Sequence, residues 1–248
     1  QEAIRLCPSN AYAHNNFANL LGEEKQFAQA ISHYKLALQY KPDLSEAWYG
    51  LGEAYYAQKR FPLSLDAYLH ACTKDSDAKQ RVIKLLENNR YAVTEEGEIL
   101  DKDSLLMLYD KAKRQTIQNN LAACGLRASP KMTITFRNFL FDTAKATLQN
   151  DETTQLQLTE VAKALKSLLS VAVIQIDGHS DKQAFKDVSL IESNRLNQAL
   201  SKQRAEKIKT ELEHRGVPSH KIRTHGFGDK KPISKHLHKN RRVEIKVD

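Results

Sequence analysis

Asp181 and Arg204 are the two residues whose types and placement could grip a ligand of mixed charge. Asp181 follows Ile174-Gln175-Ile176-Asp177-Gly178-His179-Ser180, which alternates apolar and polar residues and then breaks at a glycine. That pattern predicts a buried strand delivering Asp181 to a loop. Arg204 lies in Asn197-Gln198-Ala199-Leu200-Ser201-Lys202-Gln203-Arg204-Ala205, which predicts the early turns of a helix running from about Leu196 to Arg215. A carboxylate and a guanidinium at neighbouring element ends suit a zwitterion, with the guanidinium offering a two-pronged contact to a carboxylate. The plainer alternative is a structural ion pair, which at a surface contributes about 0–1 kcal/mol.

Other chemistries find little support. No nucleophile with an adjacent base, pair of catalytic carboxylates or phosphate-cradling loop emerges, and Gly226-Phe227-Gly228 lacks the rest of a nucleotide fingerprint, so an enzyme is not expected and no cofactor is implied. His236 and His238 lack a convergent third ligand and read as surface residues; no metal site is expected. His179 reads as a structural hydrogen-bonding residue. Cys7, Cys72 and Cys124 are odd in number, without CxxC spacing, and read as small core residues in helices rather than a disulfide framework. Glu95, Glu96 and Glu98 read as solvated surface.

Residues 1–130 hold 16 Lys+Arg against 16 Asp+Glu, leaving 22 against 14 in 131–248, so the net charge of +8 resides in the second part. That part should prefer an anionic partner. Nucleic acid is disfavoured because the basic stretches lack interleaved aromatics. No stretch reaches the roughly 20 apolar residues of a membrane helix.

The elements that must position these groups fall into three segments. Residues 1–77 repeat with a period of 34, seen in Pro8 and Pro42, Phe27 and Phe61, Tyr34 and Tyr68, and Ala37 and Ala71. Such a period marks stacked helical hairpins. Residues 1–10 form the end of an earlier copy, 11–44 a loose copy through His14, Phe17, Ala18 and Leu21, and 45–77 a strong one. Ala18 and Gly52 let the helices of a hairpin approach, and Tyr34 and Tyr68 fill the space between hairpins. Two copies and a fragment predict that further repeats precede Gln1. Residues 78–130 predict a connector: a capping helix from Asp77 to Asn89, a small hairpin turning at Gly97, and one helix from Asp101 or Asp103 through Leu121 to Gly125. Ala128-Ser129-Pro130 is the expected boundary. Residues 131–248 predict strands at Met132–Phe136, Val171–Asp177, Lys221–Phe227 and Arg241–Val247 with helices between, a βαβαββ order of the α+β class.

Two resemblances follow. Trp48, Leu51, Gly52 and Tyr55 match the W-x2-L-G-x2-Y opening of the tetratricopeptide repeat, which implies a scaffold that binds a protein partner. Residues 131–248 resemble the OmpA-like domain shared by OmpA, Pal and MotB. The resemblance rests on Phe139-Leu140-Phe141-Asp142, Gly178-His179-Ser180-Asp181, Asn197-x-x-Leu200-Ser201-x-x-Arg204-Ala205, Gly226-Phe227-Gly228 with Pro232, and Asn240-Arg241-Arg242-Val243-Glu244-Ile245.

The second resemblance implies non-covalent binding of peptidoglycan through the meso-diaminopimelate of its stem peptide. Asp181 would take the ammonium and Arg204 the carboxylate, with Phe139 and Leu200 in the wall, Asn197 on the rim and Arg241, in preference to Arg242, nearby. The expected helix start also places free N–H groups near Asn197 and Ser201 for a carboxylate, the plainer alternative being Ser201 as a helix cap and Asn197 as a turn residue. The family usually has threonine where Ser180 stands, a shorter segment in place of 182–195, and a longer loop in place of Lys235 to Lys239. The whole reads as a periplasmic, wall-associated protein at the outer membrane of a Gram-negative bacterium, its repeats recruiting or positioning a partner. The competing reading is a protein–protein assembly adaptor with a vestigial wall pocket.

Overall fold

The computed structural model describes every residue except 1, 129, 131, 143, 169–172, 183, 184, 186 and 234–239. Its contacts divide the chain into two units, one of residues 1–91 and 111–130, the other of residues 92–110 and 131–248. The expected connector at 78–130 is therefore shared out between them.

The first unit is helical. Helix α1 spans Glu2–Leu6, α2 Ala11–Glu23, α3 Phe27–Tyr40, α4 Ser45–Ala57, α5 Phe61–Ala71, α6 Ser76–Leu86 and, after the excursion, α8 Lys111–Ala123. The expected hairpins are α2 with α3 and α4 with α5. Tyr34 and Tyr68 are buried, and a Cβ added to Gly50 or Gly52 would lie 2.4 or 2.5 Å from their rings, so glycine is what lets α4 receive both. Tyr68 donates to Glu53, which Arg81 of α6 holds at 2.8 Å, so α6 is tied to the stack as well as packed on α5.

Two cysteine expectations are corrected here. Cys72 and Cys124 are joined in a disulfide, because α8 docks on α5 and brings their Cα atoms to 5.7 Å. Cys7 is exposed and unpaired.

The second unit is an α/β layer. Among the described residues its sheet has five strands in the order β1-β2-β5-β3-β4: β1 Val93–Thr94, β2 Ile134–Phe136, β3 Ile174–His179, β4 Ile222–Gly226 and β5 Arg242–Val247. Strands β1 and β2, and β3 and β4, are parallel, whereas β5 runs antiparallel to both β2 and β3. Helices α9 (Glu152–Lys166) and α10 (Leu190–His214) intervene, giving the βαβαββ order within 131–248. Ile174, Ile176, Val243, Ile245 and Val247 supply the buried side of the sheet, with Leu158, Val161 and Leu165 of α9 and Ile208 and Leu212 of α10. The first residues expected in β3, 171 and 172, lie outside the described residues.

Two local expectations change in the 92–110 segment. No hairpin forms at Gly97: Val93 and Thr94 instead pair with Thr135 and Phe136, which satisfies the sheet edge that a hairpin would leave open. The single long helix is two. Asp110, with an extended backbone at φ −76° and ψ 126°, ends α7 (Lys102–Tyr109) before α8 begins.

Candidate ligand-binding pocket

Helix α10 lies close against the sheet because glycine stands where it crosses. Gly178 of β3 and Gly226 of β4 are register neighbours. A Cβ on Gly178 would fall 1.9 Å from the Ser201 carbonyl oxygen, and one on Gly226 would fall 2.5 Å from the Lys202 nitrogen. The turn after β4 then clips both elements. The Gly228 N–H donates to Ser201 Oγ at 2.8 Å, and the Gly228 carbonyl accepts from the Ser180 N–H at 2.9 Å. The two glycine motifs thus bring the end of β3, carrying Asp181, beside the middle of α10, carrying Arg204.

The spacing of Asn197, Leu200, Ser201, Arg204, Ala205 and Ile208 is the buried stripe of that helix. Arg204 sits in this stripe, 3% exposed. Its Nε donates to the Lys145 carbonyl at 3.1 Å and its Nη2 to the Asp142 carbonyl at 3.4 Å, while its guanidinium lies 5.1 Å from the Phe141 ring centroid. Nη1 has no hydrogen-bond partner among the described residues. Burial, and after it the charge of Arg241, push the guanidinium down to about 10, with Asp181 acting in the other direction. A cation so placed gains from the arrival of an anion.

Asp181 is 7% exposed, and Arg241 Nε approaches its Oδ2 at 3.4 Å. Of the two neighbouring arginines, Arg241 lies on the pocket side. Arg242 turns inward, bonding Glu244 at 2.8 Å and the Lys231 carbonyl at 3.0 Å.

Arg204 and Arg241 share one pocket of about 390 Å³ with Phe139, Leu140, Phe141, Gln149, Arg137, Glu95 and Glu96. Of the expected site residues, Phe139, Arg204 and Arg241 line it directly, and Asp181 borders it through Arg241. Asn197 and Leu200 are buried on α10, outside its lining. Three aromatic or aliphatic side chains beside three cations and two carboxylates make a cavity suited to a short aliphatic stem with charged ends.

Glu95 and Glu96 line the pocket, a place the expectation of solvated surface did not give them, although Glu96 is solvated as expected. Glu95 pairs with Arg137, and Glu96 is exposed. Nothing local in the sequence marks them, because they reach the pocket only through the pairing of β1 with β2. The expected helix N-terminus at Asn197 is corrected. Ser189 caps α10 by accepting from the Glu192 N–H at 3.2 Å, so Asn197 and Ser201 lie inside the helix and their amides serve it.

His179 is buried, stacks on Phe227 with ring centroids 5.4 Å apart, and lies 3.9 Å from Glu244, a structural setting. His236 and His238 fall outside the described residues, as do parts of 182–195 and all of Lys235 to Lys239. Among the described residues no group of three or more His, Cys, Asp or Glu is placed to hold a metal ion, and no helix is long and apolar enough to cross a membrane.

Residues 140–246 match the OmpA family and residues 22–66 the tetratricopeptide repeat. The chain therefore carries an OmpA family domain behind a helical repeat region. It is 35% identical over 113 residues to "Probable lipoprotein YiaD" of Escherichia coli, a match covering 44% of this chain and 47% of that protein. The chain thus spans about half the length of that curated relative. Similar solved structures include the periplasmic domain of Helicobacter pylori MotB, at 24% identity and TM-score 0.38 over 47% of this chain and 74% of that one. The peptidoglycan-associated lipoprotein from Burkholderia pseudomallei is another, at 25% identity and TM-score 0.36 over 44% and 86% of the two chains.

Proposed function

We propose that the second unit binds peptidoglycan non-covalently through the meso-diaminopimelate of the stem peptide, and that the repeats of the first unit recruit or position a partner protein. The observation that carries this reading is Arg204: a buried guanidinium, fixed by two backbone carbonyls and an aromatic face, with Nη1 unbonded among the described residues, beside a pocket that Arg241 also lines. The free end of the ligand side chain bears an ammonium and a carboxylate on one carbon. Nη1 of Arg204, supported by Arg241, receives the carboxylate, and Asp181 receives the ammonium once the ligand carboxylate competes for Arg241. Phe139, Leu140 and Phe141 cover the methylenes.

The OmpA family match over 140–246 supports association with the wall, and the lipoprotein relative supports a periplasmic place in the envelope, which we extend to the outer membrane. The Cys72–Cys124 disulfide suits an oxidising compartment. No catalytic role is assigned.

Sedimentation with purified diaminopimelate-type peptidoglycan tests the reading. The wild-type protein should pellet with the wall, and Asp181→Ala and Arg204→Ala should remain in the supernatant. A wild type that stays soluble, or variants that pellet equally well, would sink it.

A further inference from the structure

The pocket carries a wall from outside the matched domain. Residues 92–110 contribute Glu95 and Glu96, yet the OmpA family match begins at 140. This wall is built and held. β1 pairs with β2, and Arg137 N–H donates to the Thr94 carbonyl at 3.2 Å. Asn138, 1% exposed, accepts from the Thr94 hydroxyl at 2.8 Å and donates to the Glu98 carbonyl at 2.8 Å. Glu98 in turn accepts from the Glu95 N–H at 3.0 Å, closing a turn in which Gly97 holds φ 75°. Gln157 is fully buried and bonds both the N–H and the carbonyl of Leu100. Two buried polar side chains, each satisfied on this segment, fix the backbone that presents Glu96.

The two glutamates differ in what they already hold. Glu95 is neutralised by Arg137, which also lines the pocket. Glu96 lies on the same wall, exposed, and makes no ion pair or hydrogen bond among the described residues. Asp181 is buried and already meets Arg241. Glu96 and the two arginines Arg204 and Arg241 line one cavity of about 390 Å³, so their charges act on one ligand.

The geometry points to Glu96 as a specificity-determining residue of the pocket, a second acceptor for the ligand ammonium on the wall supplied by residues 92–110. This rests on the wall-binding reading above and deepens it. An ammonium has three donors, so Asp181 and Glu96 can each accept one. A ligand end that keeps the carboxylate and lacks the ammonium leaves Glu96 facing an anion, and the site then disfavours it. The recognition unit is accordingly 92–110 together with 131–248.

Titration calorimetry on the full chain separates these roles with two probes: a diaminopimelate stem tripeptide, and the same peptide ending in 2-aminopimelate, which lacks the distal ammonium. Glu96→Gln should weaken the first by roughly two- to fivefold, the upper part of the range of an exposed ion pair. Its affinity for the second should be unchanged or higher, so the preference for the ammonium shrinks. Glu96→Asp should retain part of that preference. A Glu96→Gln protein with the wild-type ratio between probes overturns the assignment while Arg204→Ala still abolishes binding, leaving the wall-binding reading intact. If wild type binds neither peptide, or Arg204→Ala binds as wild type does, that reading and the role of Glu96 fall together.

Discussion

Replacing Arg204 by methionine should leave the fold almost unharmed, although the side chain is buried and hydrogen-bonded. The guanidinium is pushed down from its ordinary value to about 10, chiefly by burial. At about 1.4 kcal/mol per pKa unit this is about 3 kcal/mol against the charged form at neutral pH, an upper bound because the group opens into a solvated pocket. Against it stand two hydrogen bonds to carbonyls, worth about 1 kcal/mol each, and a cation–π contact of about 0.5–1 kcal/mol.

Methionine fills most of the volume, and Lys145 is exposed and Asp142 half-buried, so water can replace the lost donors. Asp181 keeps Arg241. The terms nearly cancel, and Arg204→Met should shift stability by less than about 1 kcal/mol in either direction, unlike the 3–5 kcal/mol of a broken buried ion pair. Trp48 lies in the first unit, so its fluorescence does not report on this change. Hydrogen exchange of peptides covering β3, β5 and α10 gives the local opening free energy. A loss above about 2 kcal/mol would show that Arg204 is retained for structure, and the reasoning that assigns it to a ligand would fail.

Three further outcomes test other parts of the account. Gly178→Ala should destabilise the second unit by about 3 kcal/mol or more, because its Cβ would meet the Ser201 carbonyl and push α10 off the sheet; exchange in β3 peptides should rise to match. Reducing Cys72–Cys124, which closes a separation of 52 residues, should cost the first unit up to about 4 kcal/mol by the chain-entropy relation, read as a lower urea midpoint of Trp48 fluorescence, with Cys7→Ser unaffected. His33 Nδ1 lies 2.9 Å from His14 Nδ1, and burial first, then His14, hold its pKa below 6.5. Because the unfolded chain binds that proton more readily, stability should be full above pH 6.5 and fall as pH drops from there toward the folded value. His33→Gln should flatten this slope in urea titrations at pH 7.5 and 5.5.

Legibility followed the range of the interactions. The 34-residue period exposed the hairpins because each repeat packs on its neighbour, and the ring of Tyr68 against Gly52 is a contact within one hairpin. The run from Asn197 to Ala205 is likewise local to one helix, so Arg204 could be placed on that helix in advance, and the structure adds that it lies on the buried stripe. The start of α10 was misplaced because Ser189 caps it inside a segment that reads as an insertion. Cys72 and Cys124 gave no spacing signal, since their meeting depends on α8 docking on α5. Glu95 and Glu96 were the least legible. They belong to the pocket through a parallel pairing between residues about forty positions apart, Val93 with Thr135, and no pattern in either stretch announces it.

The central claim is that Arg204 recognises the carboxylate of a zwitterionic side chain in the stem peptide. Calorimetric titration of the full chain with a stem tripeptide ending in meso-diaminopimelate, and in parallel with its lysine counterpart, which keeps the ammonium and lacks the distal carboxylate, asks this directly. Saturable binding of the first is expected, with loss of it in Arg204→Lys, which keeps the charge but lacks the planar fork that bonds the Lys145 and Asp142 carbonyls while aiming Nη1 at the ligand, and little or no binding of the second. Equal affinity for the two peptides, or an Arg204→Lys protein that binds as the wild type does, would contradict it.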